Sequence, residues 1–140
     1  MSTDANKALI HRWFDGFGNR QNLDVLDELY APDWVGHFTE TGDLHGPEGH
    51  KRLGRAFIAA FPDAAYTVER IVAEGDMVAA HYTMTGTHQA ELLGVQATGK
   101  PFTVTGINLY RCANGKIVEQ WSLFDTFGLM RQLGAIPSSR

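Results

Sequence analysis

The sequence contains little cysteine, no long apolar run and no cluster of positive charge. Its single cysteine, Cys112, cannot form an internal disulfide or build a cysteine-rich zinc site. No apolar stretch approaches the roughly 20 residues that span a bilayer, and the N-terminus lacks the basic start and apolar core of a signal peptide. These absences predict a cytoplasmic protein with no membrane partner.

Basic residues are outnumbered and scattered. The chain has 12 Lys and Arg against 16 Asp and Glu, which gives a net charge of −4. Binding to a nucleic-acid backbone needs a concentrated positive surface, so we expect no nucleic-acid partner. The six histidines include no pair with the i, i+4 spacing of His-Glu-x-x-His, and we therefore predict no metal site.

What the sequence does contain is enough apolar material for one core. The 140 residues, 44% of them hydrophobic, predict a single domain spanning residues 1–140. Apolar residues at spacings of three and four predict three helices in the first half. Caps and breakers predict their bounds: residues 2–4 to Gly16 and Gly18, Asn22 to Pro32, and Pro47 to Pro62.

The apolar period changes to two after residue 65. Residues 66–73 and 77–87 flank the tight turn at Gly75, and residues 102–112 and 116–124 flank an Asn-Gly turn, so we predict two β-hairpins. A short extended piece at residues 34–38 and a closing helix near residues 127–133 complete the order. This pattern predicts an α+β fold in which a curved antiparallel sheet, shaped like an open cone, packs one face on the N-terminal helices. A small-molecule pocket is expected inside that cone.

Asp125 is the sharpest catalytic candidate. If the last hairpin has no bulge, residues whose numbers sum to about 229 lie opposite, which pairs Trp121 with Asn108 and puts Asp125 on the same face as Trp121. Apolar surroundings disfavour a charged carboxylate, which suits a general base that accepts and returns a proton. The alternative is that Asp125 only caps the final helix.

Other residues are candidates for contacting a substrate. His37 and Asn108 are polar groups that can hydrogen-bond a ligand, although each can equally bond to neighbouring protein groups or water. Aromatic side chains can line a pocket for a planar or terpenoid ligand, and aromatic residues at helical spacing are also typical of plain core. The candidates are Trp13, Phe17, Trp34, Phe57, Phe61 and Trp121.

Several phrases of the sequence, taken in order, resemble the SnoaL-like polyketide cyclases, also called ester cyclases. They are Ala-Phe-Pro-Asp at 60–63, Val-Ala-Glu-Gly-Asp-Met-Val-Ala at 72–79, Gly-Thr-His at 86–88, Thr-Gly-Lys at 98–100, Gly-Lys-Ile-Val-Glu-Gln-Trp at 115–121, Asp125, and Gln-Leu-Gly at 132–134. The resemblance implies the cone-shaped α+β barrel of the nuclear-transport-factor-like superfamily. It also implies that Asp125 is acid and base in an intramolecular aldol condensation of a hydrophobic polyketide ester, without metal or cofactor.

Other functions remain open on this fold, because a fold does not determine a reaction. An isomerase, a dehydratase or an epoxide hydrolase is one alternative, and a non-catalytic protein that binds a hydrophobic ligand is another. The outer face of the last hairpin predicts a homodimer or a larger assembly, because it offers apolar side chains to solvent. The residues assigned to that face are Ile107, Leu109, Val118 and Phe124.

Overall fold

The computed structural model describes residues 2–136, in which helices come first and most strands follow. The helices are α1 (Thr3–Arg12), a π-helical segment (Trp13–Asn19), α2 (Val25–Leu29), α3 (Gly46–Ala60) and α4 (Thr126–Gln132). The strands are β1 (Tyr30–Phe38), β2 (Gly42–His45), β3 (Ala65–Glu74), β4 (Met77–Thr87), β5 (Pro101–Ala113) and β6 (Lys116–Phe124). None of the helices within residues 2–136 combines the length and apolar character needed to cross a bilayer.

The first helix begins as predicted, and its helical structure ends at Asn19, one residue after Gly18. The Ser2 side chain accepts a hydrogen bond from the Ala5 amide at 3.0 Å and so caps α1. Helical structure then continues through Gly16 and Gly18 as the π-helical segment. A Cβ at Gly18 would lie 3.0 Å from the Tyr66 ring, so this glycine also permits close packing near the end of the helix.

Two elements differ from the prediction around Pro32. Tyr30 to Phe38 form β1, although the proline predicted only a helix stop and a shorter strand. The pairing of β1 with β6 is irregular between Tyr30 and Val35, so Pro32, which has no N–H to donate, lies where the ladder is interrupted. The four-residue edge strand β2 was not predicted, because its turn-like sequence has no apolar alternation.

All six strands form one sheet in the order β2-β1-β6-β5-β4-β3. The two predicted hairpins, β3–β4 and β5–β6, are confirmed. Neighbouring strands are antiparallel except β1 and β6, which are parallel, so the sheet is mixed and not wholly antiparallel as expected. The sheet is curved and unclosed and packs on the N-terminal helices, which confirms the α+β fold.

A β-bulge in β6 decides which residues face the core. Cys112 pairs with Ile117, but Arg111 pairs with Glu119, which leaves Val118 as an extra residue. The bulge shifts the register by one position, so the residue opposite Asn108 is Ser122. The predicted pairing of Asn108 with Trp121 is therefore wrong.

Beyond the bulge, alternate residues of β6 exchange faces relative to the prediction. Gln120 and Ser122 are buried on the concave side, while Leu123 is 58% exposed on the convex side. Phe124, which was assigned to the outer face, lines the interior. Because the strand period is two, a one-residue slip inverts every side chain that follows it.

Candidate functional site

A cavity of about 90 Å³ lies between the concave face of the sheet, the π-helical segment and α3. Most of its wall is apolar or aromatic. Besides two tyrosines, the polar residues of the lining are Gln21, Glu40, Thr41, His50, Asn108 and Ser122. Ligand pockets usually measure roughly 300–1,000 Å³, so a multi-ring ligand has to widen this cavity on binding.

Helical spacing brings several predicted substrate-binding residues to the cavity. Trp13 and Phe17 reach it from the π-helical segment, and Phe57 and Phe61 reach it from the end of α3. Asn108 reaches it from β5 and is 2% exposed. Contact between these side chains and a substrate stays a prediction.

Trp34 does not line the cavity. It is fully buried behind the cavity wall, where its ring stacks on Tyr30 with centroids 4.1 Å apart and on His50 with centroids 5.3 Å apart. Trp34 therefore supports a lining residue, His50, from behind.

His37 and Trp121 lie together on the outer side of the sheet, away from the cavity. The His37 ring nitrogens contact Glu119 at 2.7 Å and Asp43 at 2.8 Å. The Trp121 ring stacks on the imidazole at 5.5 Å. Hydrogen bonds to Glu119 and then to Asp43 raise the pKa of His37. The predicted interior position of His37 and Trp121 is therefore wrong. The bulge turns Trp121 outward, and the pairing of β1 with β6 places His37 beside it.

Asp125 follows β6 directly and caps α4. Its Oδ1 accepts a hydrogen bond from the Gly128 amide at 2.8 Å, and the residue is exposed. Asp125 is not among the residues that line the cavity. The apolar face predicted for this carboxylate was wrong because of the register shift, and the capping alternative describes its observed contact.

His50, which was not among the predicted site residues, is 4% exposed and lines the cavity from the first half of α3. Its Nδ1 lies 2.6 Å from the Tyr30 hydroxyl. Burial lowers the pKa of His50 to about 3, so the imidazole is neutral at physiological pH. The spacing in the sequence could have identified His50 as a site residue. His50, Leu53 and Phe57 share one helical face, on which His50 is the polar side chain.

Tyr30 connects His50 to a second lining residue through a buried hydrogen-bond chain. The Tyr30 hydroxyl accepts from Trp13 Nε1 at 2.9 Å and donates to Gln120 Oε1 at 3.0 Å. Gln120 Nε2 donates in turn to Ser122 Oγ at 2.9 Å. The chain fixes both His50 and Ser122, because buried polar networks are rigid when their members are satisfied.

Asn108 provides a further polar group in the lining. Its Nδ2 donates to the Tyr110 hydroxyl at 2.9 Å, while Oδ1 is buried without a hydrogen-bond partner among the described residues. An unpartnered buried amide oxygen costs free energy that a ligand can recover by donating to it. The cavity thus combines apolar walls with side chains that can exchange protons or form hydrogen bonds with the polar groups of a ligand.

Comparison with known proteins agrees with this architecture. The family model for SnoaL-like polyketide cyclases matches residues 8–133. The chain is 31% identical over 118 residues to the nogalonic acid methyl ester cyclase of Streptomyces nogalater, covering 83% of this chain and 88% of the relative. It is also 31% identical over 139 residues to the aklanonic acid methyl ester cyclase DnrD of Streptomyces peucetius, covering 96% and 92%.

Among solved structures, IdmH from Streptomyces antibioticus matches with a TM-score of 0.81 and 38% identity. The match covers 92% of this chain and 98% of IdmH. Fold, family model and sequence relatives agree over nearly the whole chain. The chain therefore belongs to the SnoaL-like polyketide cyclase family, which makes it an enzyme of the cyclase type.

Proposed function

We propose that this protein closes a ring in a polyketide ester by intramolecular aldol condensation, without metal or cofactor. The observation that carries the proposal is the apolar cavity with a few polar groups, in a chain whose relatives are named as methyl ester cyclases of nogalonic and aklanonic acid. Aromatic walls suit a planar polyketide, and holding a flexible precursor folded brings its two reacting carbons together.

The chemistry needs only proton transfers and positioning. A base removes a proton from a carbon next to an activating carbonyl, and the resulting enolate attacks a second carbonyl in the same molecule. The new alkoxide then takes a proton. One side chain with access to both positions can do all of this as general base and then general acid.

Asp125 is the base that the family resemblance implies, and this role stays a hypothesis. To act inside the cavity, its carboxylate has to leave the Gly128 amide and turn away from solvent. The exposed cap position counts against Asp125 and favours a base within the lining. The Asp125→Asn variant distinguishes these cases, because Asn also caps helices well but cannot take up the proton.

Incubation with aklanonic acid methyl ester or nogalonic acid methyl ester is expected to convert at least one of them to a cyclised isomer. Aldol ring closure moves atoms without adding or removing any, so the product has an unchanged mass and a new retention time. Liquid chromatography with mass spectrometry measures this, and a chelator in the buffer tests the independence from metal. Tight binding of both esters without conversion would support the non-catalytic binding alternative instead.

We also propose that the outer face of the sheet forms a homodimer. Ile107 and Leu123 lie opposite each other on neighbouring strands and are 53% and 58% exposed. The cross-strand pair of Leu109 and Trp121 adjoins them on the same face. Contiguous exposed apolar side chains of this kind are typical of association surfaces.

A charge in this outer face is expected to separate the subunits. Leu123→Glu should give a monomer in light scattering at micromolar concentration, because dimerisation would bury the new carboxylate against apolar side chains. Leu93→Asn is the matched control, since it replaces an exposed leucine with φ of 52° in a loop away from the sheet. A monomeric wild type, or a Leu123→Glu dimer, would contradict this assembly.

A further inference from the structure

A proton carrier for this reaction has to be one of the groups that line the cavity. Apart from tyrosines, Glu40 and His50 are the lining residues whose side chains can take up a proton. Glu40 is only half-buried, and its Oε2 accepts hydrogen bonds from the hydroxyls of Thr39 and Thr126. His50 is almost completely enclosed, so it is the group that a bound substrate would meet away from water.

The hydrogen bonds of Tyr30 determine which nitrogen of His50 carries the proton. The Tyr30 hydroxyl has one hydrogen, and with the Gln120 amide turned so that Oε1 faces Tyr30, that hydrogen goes to Oε1. Its contact of 2.6 Å with His50 Nδ1 is therefore satisfied when Nδ1 carries the hydrogen and donates to the tyrosine oxygen. The neutral imidazole then has a bare Nε2, which makes no hydrogen bond to the described part of the protein.

The same chain orients a donor in the cavity. Ser122 Oγ accepts from Gln120 Nε2, which leaves the serine hydrogen free to donate to a ligand oxygen. His50 and Ser122 are both lining residues. A fixed hydroxyl donor in the same cavity as a base can stabilise an enolate or alkoxide oxygen as its negative charge develops.

We infer that His50, held by the positioning residue Tyr30, is the general acid and base of the cavity, and that Ser122 donates to the substrate oxygen. The assignment rests on the proposed aldol condensation. His50 Nε2 takes the proton as the substrate C–H bond breaks, and the electron pair passes to the enolate. The enolate carbon bonds to the second carbonyl carbon, whose oxygen becomes an alkoxide and receives the proton back from Nε2. No oxidant, reductant or co-reactant is consumed.

The environment of His50 supports the return of that proton. Aromatic rings of Trp34, Phe17 and Phe38 surround the imidazole, and Glu40 is the one charged side chain of the described cavity lining. The neighbouring Lys51 bonds to Asp27 at 2.7 Å instead of facing the cavity. An imidazolium in such a site is a strong acid, which favours protonation of the alkoxide.

Turnover of aklanonic acid methyl ester tests the catalytic role. His50→Phe is expected to lower kcat by at least about 100-fold with KM changed by less than about threefold, as for loss of a general acid and base. His50→Gln provides a second variant that keeps a polar partner for Tyr30. The exposed His11→Gln is the control and is expected to stay within about threefold of wild type, while Asp125→Asn tests the rival assignment of the base. Full activity in both folded His50 variants, or loss of activity in Asp125→Asn alone, would overturn the assignment.

Histidine ¹⁵N NMR of the wild-type protein tests the tautomer without any substrate. We expect one histidine, absent from the His50→Phe spectrum, to carry hydrogen on Nδ1 and a bare Nε2 at neutral pH. Hydrogen on Nε2, or a charged ring, would overturn the inference. Tyr30→Phe should shift this tautomer signal and the pH profile of kcat, which a merely structural tyrosine would leave unchanged. If neither ester is converted, the proposed function fails, whereas an active enzyme with hydrogen on His50 Nε2 overturns the His50 assignment alone.

Discussion

Acid is expected to destabilise the wild-type protein more than a His50→Phe variant. The pKa of His50 is lowered from 6.5 to about 3 because burial disfavours the imidazolium. Between these two values the unfolded chain binds a proton that the folded chain does not. The stability that depends on neutral His50 is thus fully present above pH 6.5 and is lost as the pH falls toward 3. The expected slope is about 1.4 kcal/mol per pH unit.

Urea unfolding of both proteins at pH 7 and about pH 4.5 measures this dependence. Relative to wild type, His50→Phe should gain about 2.5 kcal/mol in free energy of unfolding on going to the lower pH. His11→Gln is the control, since it changes an exposed histidine of α1 and leaves the His50 site intact. The same difference between wild type and His50→Phe at both pH values would contradict a buried neutral imidazole.

Removing the Tyr30 hydroxyl is expected to cost about 3–5 kcal/mol of stability. Tyr30→Phe keeps the ring that stacks on Trp34 but leaves three buried groups without their partner: Trp13 Nε1, His50 Nδ1 and Gln120 Oε1. The cost arises because each buried polar atom loses its hydrogen bond in a place that water does not reach. Thermal unfolding should show a melting temperature lower by about 10 °C or more.

Tyr110→Phe is the matched control for this prediction. Tyr110 is also fully buried, but its hydroxyl has a single partner in the described structure, Asn108 Nδ2. Its loss should cost about 1–2 kcal/mol. Equal destabilisation by the two tyrosine variants would show that Tyr30 is not the centre of a network.

Local patterns in the sequence were sufficient for most of the fold. Apolar spacing predicted α1 and α3, and the turns at Gly75 and Asn114 predicted both hairpins, because these elements are set by near neighbours. The parallel pairing of β1 with β6 could not be predicted in the same way. It joins residues such as Gly36 and Gln120, which are distant in the chain, and neither strand encodes its partner.

Within the candidate site, likewise, the aromatic helix residues were predicted and the residues of β6 were not. Trp13, Phe17, Phe57 and Phe61 were found because the helical period determines which side of a helix they occupy. Predictions on β6 failed because strand alternation is reliable only if the count from the turn is unbroken, and Val118 breaks it. His50 was not predicted because it forms no metal-ligand pair and lies in no strand, although its position among the apolar residues of α3 distinguishes it from the other histidines.

The bulge at Val118 also has a bearing on how this sheet could evolve. One strand supplies the interior with Gln120 and Ser122 and the exterior with Trp121 and Leu123. Deletion of one residue before Gln120 would exchange these two sets, turning hydroxyl and amide groups outward and an indole inward. A single codon lost or gained in this hairpin would therefore change the polar lining of the cavity and the apolar outer face of the sheet in one event.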